Sequence, residues 1–191
     1  MLYTEFDSLI PEPLRESSKG KAGLYPDHLR SEIDAMNDWV YNTVNNGVYK
    51  CGFASTQEAY DENVYPLFSS LDRLEEHLGQ PGQGPFLFGE NITEADIRLY
   101  TTMARFDVAY HTLFKCNLKM IRYDYPNLHL WLRRLYWDES AKTNGGAFHK
   151  TSKVDLYKVG YAGTSASKVV PAGPVPPIMS LDAAVEKKNW V

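Results

Sequence analysis

An all-α bundle is the fold class predicted by three features of this 191-residue chain. Apolar residues recur at three- and four-residue spacing through most of its middle. Several of these stripes open on capping residues and close at glycine. No segment alternates apolar and polar residues as a half-buried strand does. Short connections between such helices place sequential neighbours antiparallel. The composition is that of one globular domain, with 43% hydrophobic and 23% charged residues.

The chain divides into an irregular opening segment (1–24), a helical domain (25–162) and an extended tail (163–191). The opening segment holds Pro11, Pro13, Ser17, Ser18, Gly20 and Gly23. The first helix is expected near Pro26, with the stripe Leu29, Ile33, Met36, Val40 and Val44, and an end at Asn45-Asn46-Gly47. Ser55-Thr56-Gln57-Glu58 reads as a capping box for a second helix. Its stripe runs Tyr60, Val64, Leu67, Leu71, Leu74 and Leu78, with a kink expected at Pro66. Gln80-Pro81-Gly82-Gln83-Gly84-Pro85 is a loop rather than a phosphate cradle, since no strand precedes it.

A third helix opens at Thr93, the N-cap, with Asp96 returning the bond and Ile92 and Ile97 as a hydrophobic staple. Leu99, Met103, Phe106 and Tyr110 continue it. Asn91-Ile92-Thr93 also spells a glycosylation acceptor, a reading set aside because Thr93 is used as a cap and the N-terminus has no secretory signal. A fourth helix starts at Tyr125-Pro126 and runs through Trp131, Leu132, Leu135 and Tyr136; a shorter one covers Lys153 to Tyr161. Pro171, Pro174, Pro176 and Pro177 keep the tail extended and non-helical.

The net charge of −4 argues against nucleic-acid binding, which needs clustered basic charge. No apolar run reaches membrane-spanning length. The two cysteines, Cys51 and Cys116, make no disulfide framework and read as reduced thiols in a cytoplasmic protein. The five histidines lack metal-ligand spacing, so no metal site is expected. Lys50 beside Cys51 could lower a thiol pKa, but a small buried thiol is the simpler reading. The 13 tyrosines imply either an aromatic core or a phenol-lined pocket for a planar ligand. Tyr157 and Tyr161 lie four apart on one helical face. On spacing alone these are core aromatics with satisfied hydroxyls.

The helical pattern with Phe86-Leu87-Phe88-Gly89, Thr93-x-x-Asp96 and Tyr125-Pro126-Asn127-Leu128 resembles the C-terminal domain of cytosolic glutathione transferases. The block from Trp39 to Ala54, with Asn45-Asn46-Gly47-Val48-Tyr49-Lys50-Cys51, resembles the Xi class, the glutathionyl-hydroquinone reductases. Ala95-Asp96-Ile97-Arg98-Leu99, Arg105-Phe106-Asp107 and Phe114-Lys115-Cys116 do so too, and the tail is similar to fungal, omega-like members. This resemblance implies that Thr93 and Asp96 are structural caps, and that Tyr49 and Tyr161 contact hydroquinone oxygens, with Arg105 and Tyr157 in the pocket wall.

The family reaction uses a catalytic cysteine in a Cys-Pro-Trp context within a thioredoxin-like half. No Cys-Pro occurs in this chain. The expectation is therefore a helical substrate and dimerisation domain without that half and with no catalytic residue of its own. It would bind no cofactor itself, glutathione being the co-substrate of the full-length family. Its expected partners are a second copy, a separate thioredoxin-like half, or an aromatic small molecule. A non-catalytic binding or assembly module and a truncated product of the full enzyme are the competing readings.

Overall fold

The computed structural model describes residues 2–164 and 168–185. The opening segment is more ordered than its composition suggests. A helical turn, Leu2–Glu5, is followed by 3-10 turns at Asp7–Leu9, Glu12–Leu14, Glu16–Ser18 and Gly20–Ala22. Two carboxylates knit them together. Asp7 accepts from Glu16 N at 2.6 Å and from the Ser17 hydroxyl at 2.7 Å, and Glu16 accepts from Tyr25 N at 2.7 Å.

Helix α1 is Arg30–Val40, entered through a 3-10 turn at Asp27–Leu29. The Asn-Asn-Gly sequence does not end the helical path. A π turn, Tyr41–Asn45, leads directly into α2, Gly47–Phe53. The Asn45 side chain is drawn across to a later helix, donating to Thr102 Oγ1 at 2.6 Å, and Gly47 is buried against Leu67. Tertiary contacts thus override a local stop signal.

Helix α3, Gln57–Gly79, is capped by Thr56, one residue later than expected, whose hydroxyl accepts from Ala59 N at 3.2 Å. It stays helical through Pro66, which lies on the exposed side. Helix α4 is Glu94–Arg105, extended by a π turn, Phe106–Tyr110, and a last turn, His111–Leu113. A short α5, Ile121–Asp124, and α7, Ala147–Thr151, are additions to the sequence reading. Helix α6 is Pro126–Trp137 and α8 is Val154–Ala162.

The core lies between α1, α3, α4 and α6, with Ile33, Leu67, Leu71, Leu99, Trp131 and Leu135 fully buried. Each such side chain contributes roughly 1.5–3 kcal/mol by leaving water. Asp96 is the polar pin of this core. Its carboxylate accepts from Leu87 N, Thr93 N, Thr93 Oγ1 and Trp131 Nε1, all at 2.8–2.9 Å. It fixes the loop before α4, the start of α4 and the middle of α6 at one point. Among the described residues there is no strand, only one isolated bridge, Phe86 to Gly89.

The tail is extended, as its prolines require, but it lies against the body. Ile178 is buried. Arg122 donates to the carbonyls of Pro176 and Pro177 at 2.9 and 2.8 Å, and Trp137 Nε1 to Met179 at 2.8 Å. Arg133 reaches Ser180 and Ala183, and Lys158 reaches Ala172 at 3.0 Å. Residues 165–167 and 186–191 of the predicted tail lie outside the described residues.

Candidate functional site

Three phenols meet where α2, the end of α4 and α8 come together. Tyr49 projects from the middle of α2, not from beyond a helix end, because α2 continues the chain's helical path. Tyr161 sits in the last turn of α8. Their hydroxyls are 2.8 Å apart across 112 positions of sequence. The third member, Tyr110, closes the π turn after α4. Its hydroxyl lies 2.8 Å from that of Tyr161 and 3.2 Å from that of Tyr49.

Phe114 is the platform beneath them. Its ring stacks on Tyr110 at 5.3 Å and meets Tyr49, Phe53 and Tyr161 edge-on or tilted at 5.3–5.6 Å. Gly52 makes room for it, since a Cβ there would collide with the Phe114 ring. One side of the cluster is open: Tyr49 is 37% exposed and Phe53 65%. The result is an aromatic shelf on which Tyr49, Phe53 and the half-buried Tyr161 face the opening, with Tyr110 and Phe114 buried beneath, a surface that can cover a flat ring and hydrogen-bond its oxygens.

The Tyr110 and Tyr161 hydroxyls stay protonated at neutral pH. Burial pushes the Tyr110 hydroxyl far up, reinforced by its bonds to Tyr161 and Tyr49. Tyr161 is raised chiefly by burial, and the charge of Arg105 acts in the opposite direction. Arg105 itself lies with its guanidinium 4.2 Å from the centre of the Tyr157 ring and donates to the Thr101 carbonyl. Arg105 and Tyr157 are therefore a cation–π pair beside the cluster, while Tyr49 and Tyr161 are in direct contact within it.

Tyr110, Phe114 and Phe53 were not singled out from sequence as site residues. Tyr110 continues the apolar stripe of its helix and so reads as core. The available signal was the four-residue step from Tyr110 to Phe114, matched by that from Tyr49 to Phe53.

Neither cysteine is an exposed nucleophile. Cys51 and Cys116 are both fully buried. A hydrogen bond from Cys116 holds the Cys51 thiol below its usual range, and Cys116 is correspondingly pushed up. Among the described residues no group of three metal-binding side chains occurs, and no helix is long and apolar enough to cross a membrane. A separate cleft of about 800 Å³ lies between the tail and the α4–α5 corner, reached by His111, Tyr123 and Val175.

Residues 57–134 match the family model for the glutathione S-transferase C-terminal domain. The chain is 45% identical over 175 residues to glutathione S-transferase omega-like 2 of Schizosaccharomyces pombe, covering 90% of this chain and 54% of that protein. It is 46% identical over 157 residues to glutathionyl-hydroquinone reductase PcpF of Sphingobium chlorophenolicum, covering 82% and 48%. The chain spans about half the length of the curated relatives it matches. Among solved structures, the glutathione-S-transferase Xi from Phanerochaete chrysosporium superposes with a TM-score of 0.80 at 49% identity, covering 95% of this chain and 58% of that one. The Xi glutathione transferase ECM4 of Saccharomyces cerevisiae, solved with glutathione, gives 0.78 at 37% identity, covering 92% and 54%. The chain thus matches the glutathione S-transferase C-terminal domain over residues 57–134 and is similar, in sequence and in fold, to about half of each of these Xi-class transferases.

Proposed function

We propose that this chain is the aromatic-substrate part of a glutathionyl-hydroquinone-reductase-type protein. The observation that carries this reading is the convergence of the Tyr49, Tyr110 and Tyr161 hydroxyls from three separate elements. Nothing in local geometry forces that meeting. A hydroquinone offers two oxygens on a flat ring, and this shelf offers phenol hydroxyls beside the exposed Phe53. Tyr49 and Tyr161 are assigned to the ligand oxygens, and Arg105 with Tyr157 to the adjoining wall.

Cys51 and Cys116 supply no accessible thiolate. In this reading the thiol chemistry and the glutathione site lie in a thioredoxin-like half, with glutathione as co-substrate there, and the complete protein works in the cytoplasm. The helical domain is taken as 25–162, with 1–24 and 163–191 as flanking segments.

The test is binding of methylhydroquinone to the purified chain under anaerobic conditions, followed by calorimetry. Tyr49→Phe and Tyr161→Phe should each weaken binding by about 0.5–1.5 kcal/mol, the net worth of one neutral hydrogen bond. Equal affinity of wild type and both variants overturns the assignment.

A further inference from the structure

The tail is bonded to two of the elements that carry the phenol cluster. Lys158 is buried on α8, one turn before Tyr161, and donates to the Ala172 carbonyl at 3.0 Å. Its neighbours on the same helical face, Val154 and Ala162, are buried as well. The position of α8, and with it the Tyr161 hydroxyl, is therefore referenced to the tail.

The second connection runs through Arg122, which is 4% exposed. Its Nη2 donates to the Pro176 and Pro177 carbonyls, and its Nε lies 3.3 Å from Asp107 Oδ2. Asp107 belongs to the same π turn as Tyr110, three residues earlier. It also accepts from Ile121 N at 2.8 Å and Arg122 N at 3.1 Å. The π turn, the start of α5 and the tail thus share one charged knot. A π turn departs from the regular helical register, and the contacts made by Asp107 within it bear on where Tyr110 points.

We propose that residues 171–177 act as a positioning strap for the phenol cluster, with Lys158 setting Tyr161 and Arg122 setting Tyr110. This rests on the reading of the cluster as an aromatic-ligand site. The strap is read through its backbone carbonyls, so its register is fixed by chain geometry, which its prolines keep extended. Lys158 and Arg122 touch no ligand; they act through the tyrosines.

The experiment is a double-mutant cycle on the full chain, with methylhydroquinone as probe. Lys158→Met keeps the apolar stem and removes the donor. It should weaken binding roughly 2- to 10-fold, the range of the one neutral hydrogen bond that a displaced Tyr161 hydroxyl would no longer make to the probe. In a Tyr161→Phe background the same change should have no further effect, because the hydroxyl it positions is gone. Lys158→Arg, which restores a donor, should recover binding. The tyrosine signal in near-ultraviolet circular dichroism follows the same cycle without ligand. If Tyr161→Phe leaves quinol binding unchanged, the ligand reading fails while the dichroism still tests the strap. Should Lys158→Met not fold, Arg122→Lys in wild-type and Tyr110→Phe backgrounds takes its place. Its shorter side chain cannot reach the carboxylate and both carbonyls together. Unchanged binding and dichroism in the folded variant, or equal losses in both backgrounds, overturn the proposal.

Discussion

His129 shows how one residue couples stability to pH. It is 3% exposed on α6. Burial first, then the charges of Arg133 and Arg122, hold its imidazole down at about 4. The unfolded chain binds that proton near 6.5. Between these values the unfolded state carries more protons, so stability rises with pH. The contribution is complete above 6.5 and is lost as pH falls toward about 4. The loss should be about 2–3 kcal/mol across the window. Urea denaturation should find a steeper acid-side decline in wild type than in His129→Gln; parallel declines would contradict it. At this scale the sequence was informative where chemistry is local. Thr93 and Asp96 were readable as a cap from their spacing, whereas Tyr49 and Tyr161 were given a ligand-contacting role only through family resemblance. Tyr110 was hidden because a phenol at the end of an apolar stripe looks the same whether its hydroxyl faces core or cleft.

Helix α2 and the end of α4 meet through Gly52 and Phe114. The glycine is there for clearance: an added methyl group would drive into the ring. Gly52→Ala should therefore destabilise the fold by about 1–3 kcal/mol, the usual cost of overpacking, despite alanine's better helix propensity. Thermal unfolding checks this, and a variant as stable as wild type would show that Phe114 has room to move. Because Phe114 supports all three phenols, the same variant should also weaken quinol binding. Helix existence was legible here; helix continuity was not. Asn45-Asn46-Gly47 carries a local stop signal that Asn45's bond to Thr102 overrides. The π turns left no mark, since the same apolar stripe serves a regular helix and one with a residue inserted.

On the scale of the whole chain, apolar surface is left open around the candidate site. Phe53, Leu156 and Val159 are 57–67% exposed on the two helices that carry Tyr49 and Tyr161. Surface of this kind favours association. Light scattering at micromolar concentration should find a dimer or larger species, and a strictly monomeric mass would argue against it. The tail was legible as extended, because five prolines and glycines between Pro171 and Pro177 exclude helix. Its docking was not. The groups that hold it, Arg122, Arg133, Trp137 and Lys158, are scattered through the chain and bind carbonyls that every residue possesses.

Three hydroxyls in mutual contact hold three protons between three oxygens. All three bonds are made only when the protons circulate in one sense or the other, and a concerted rotation of the hydroxyls exchanges the two. The ring has no fixed polarity. It can turn a proton outward to an oxygen that only accepts, or a lone pair outward to a hydroxyl that donates. One set of side chains can therefore greet both redox forms of an aromatic diol.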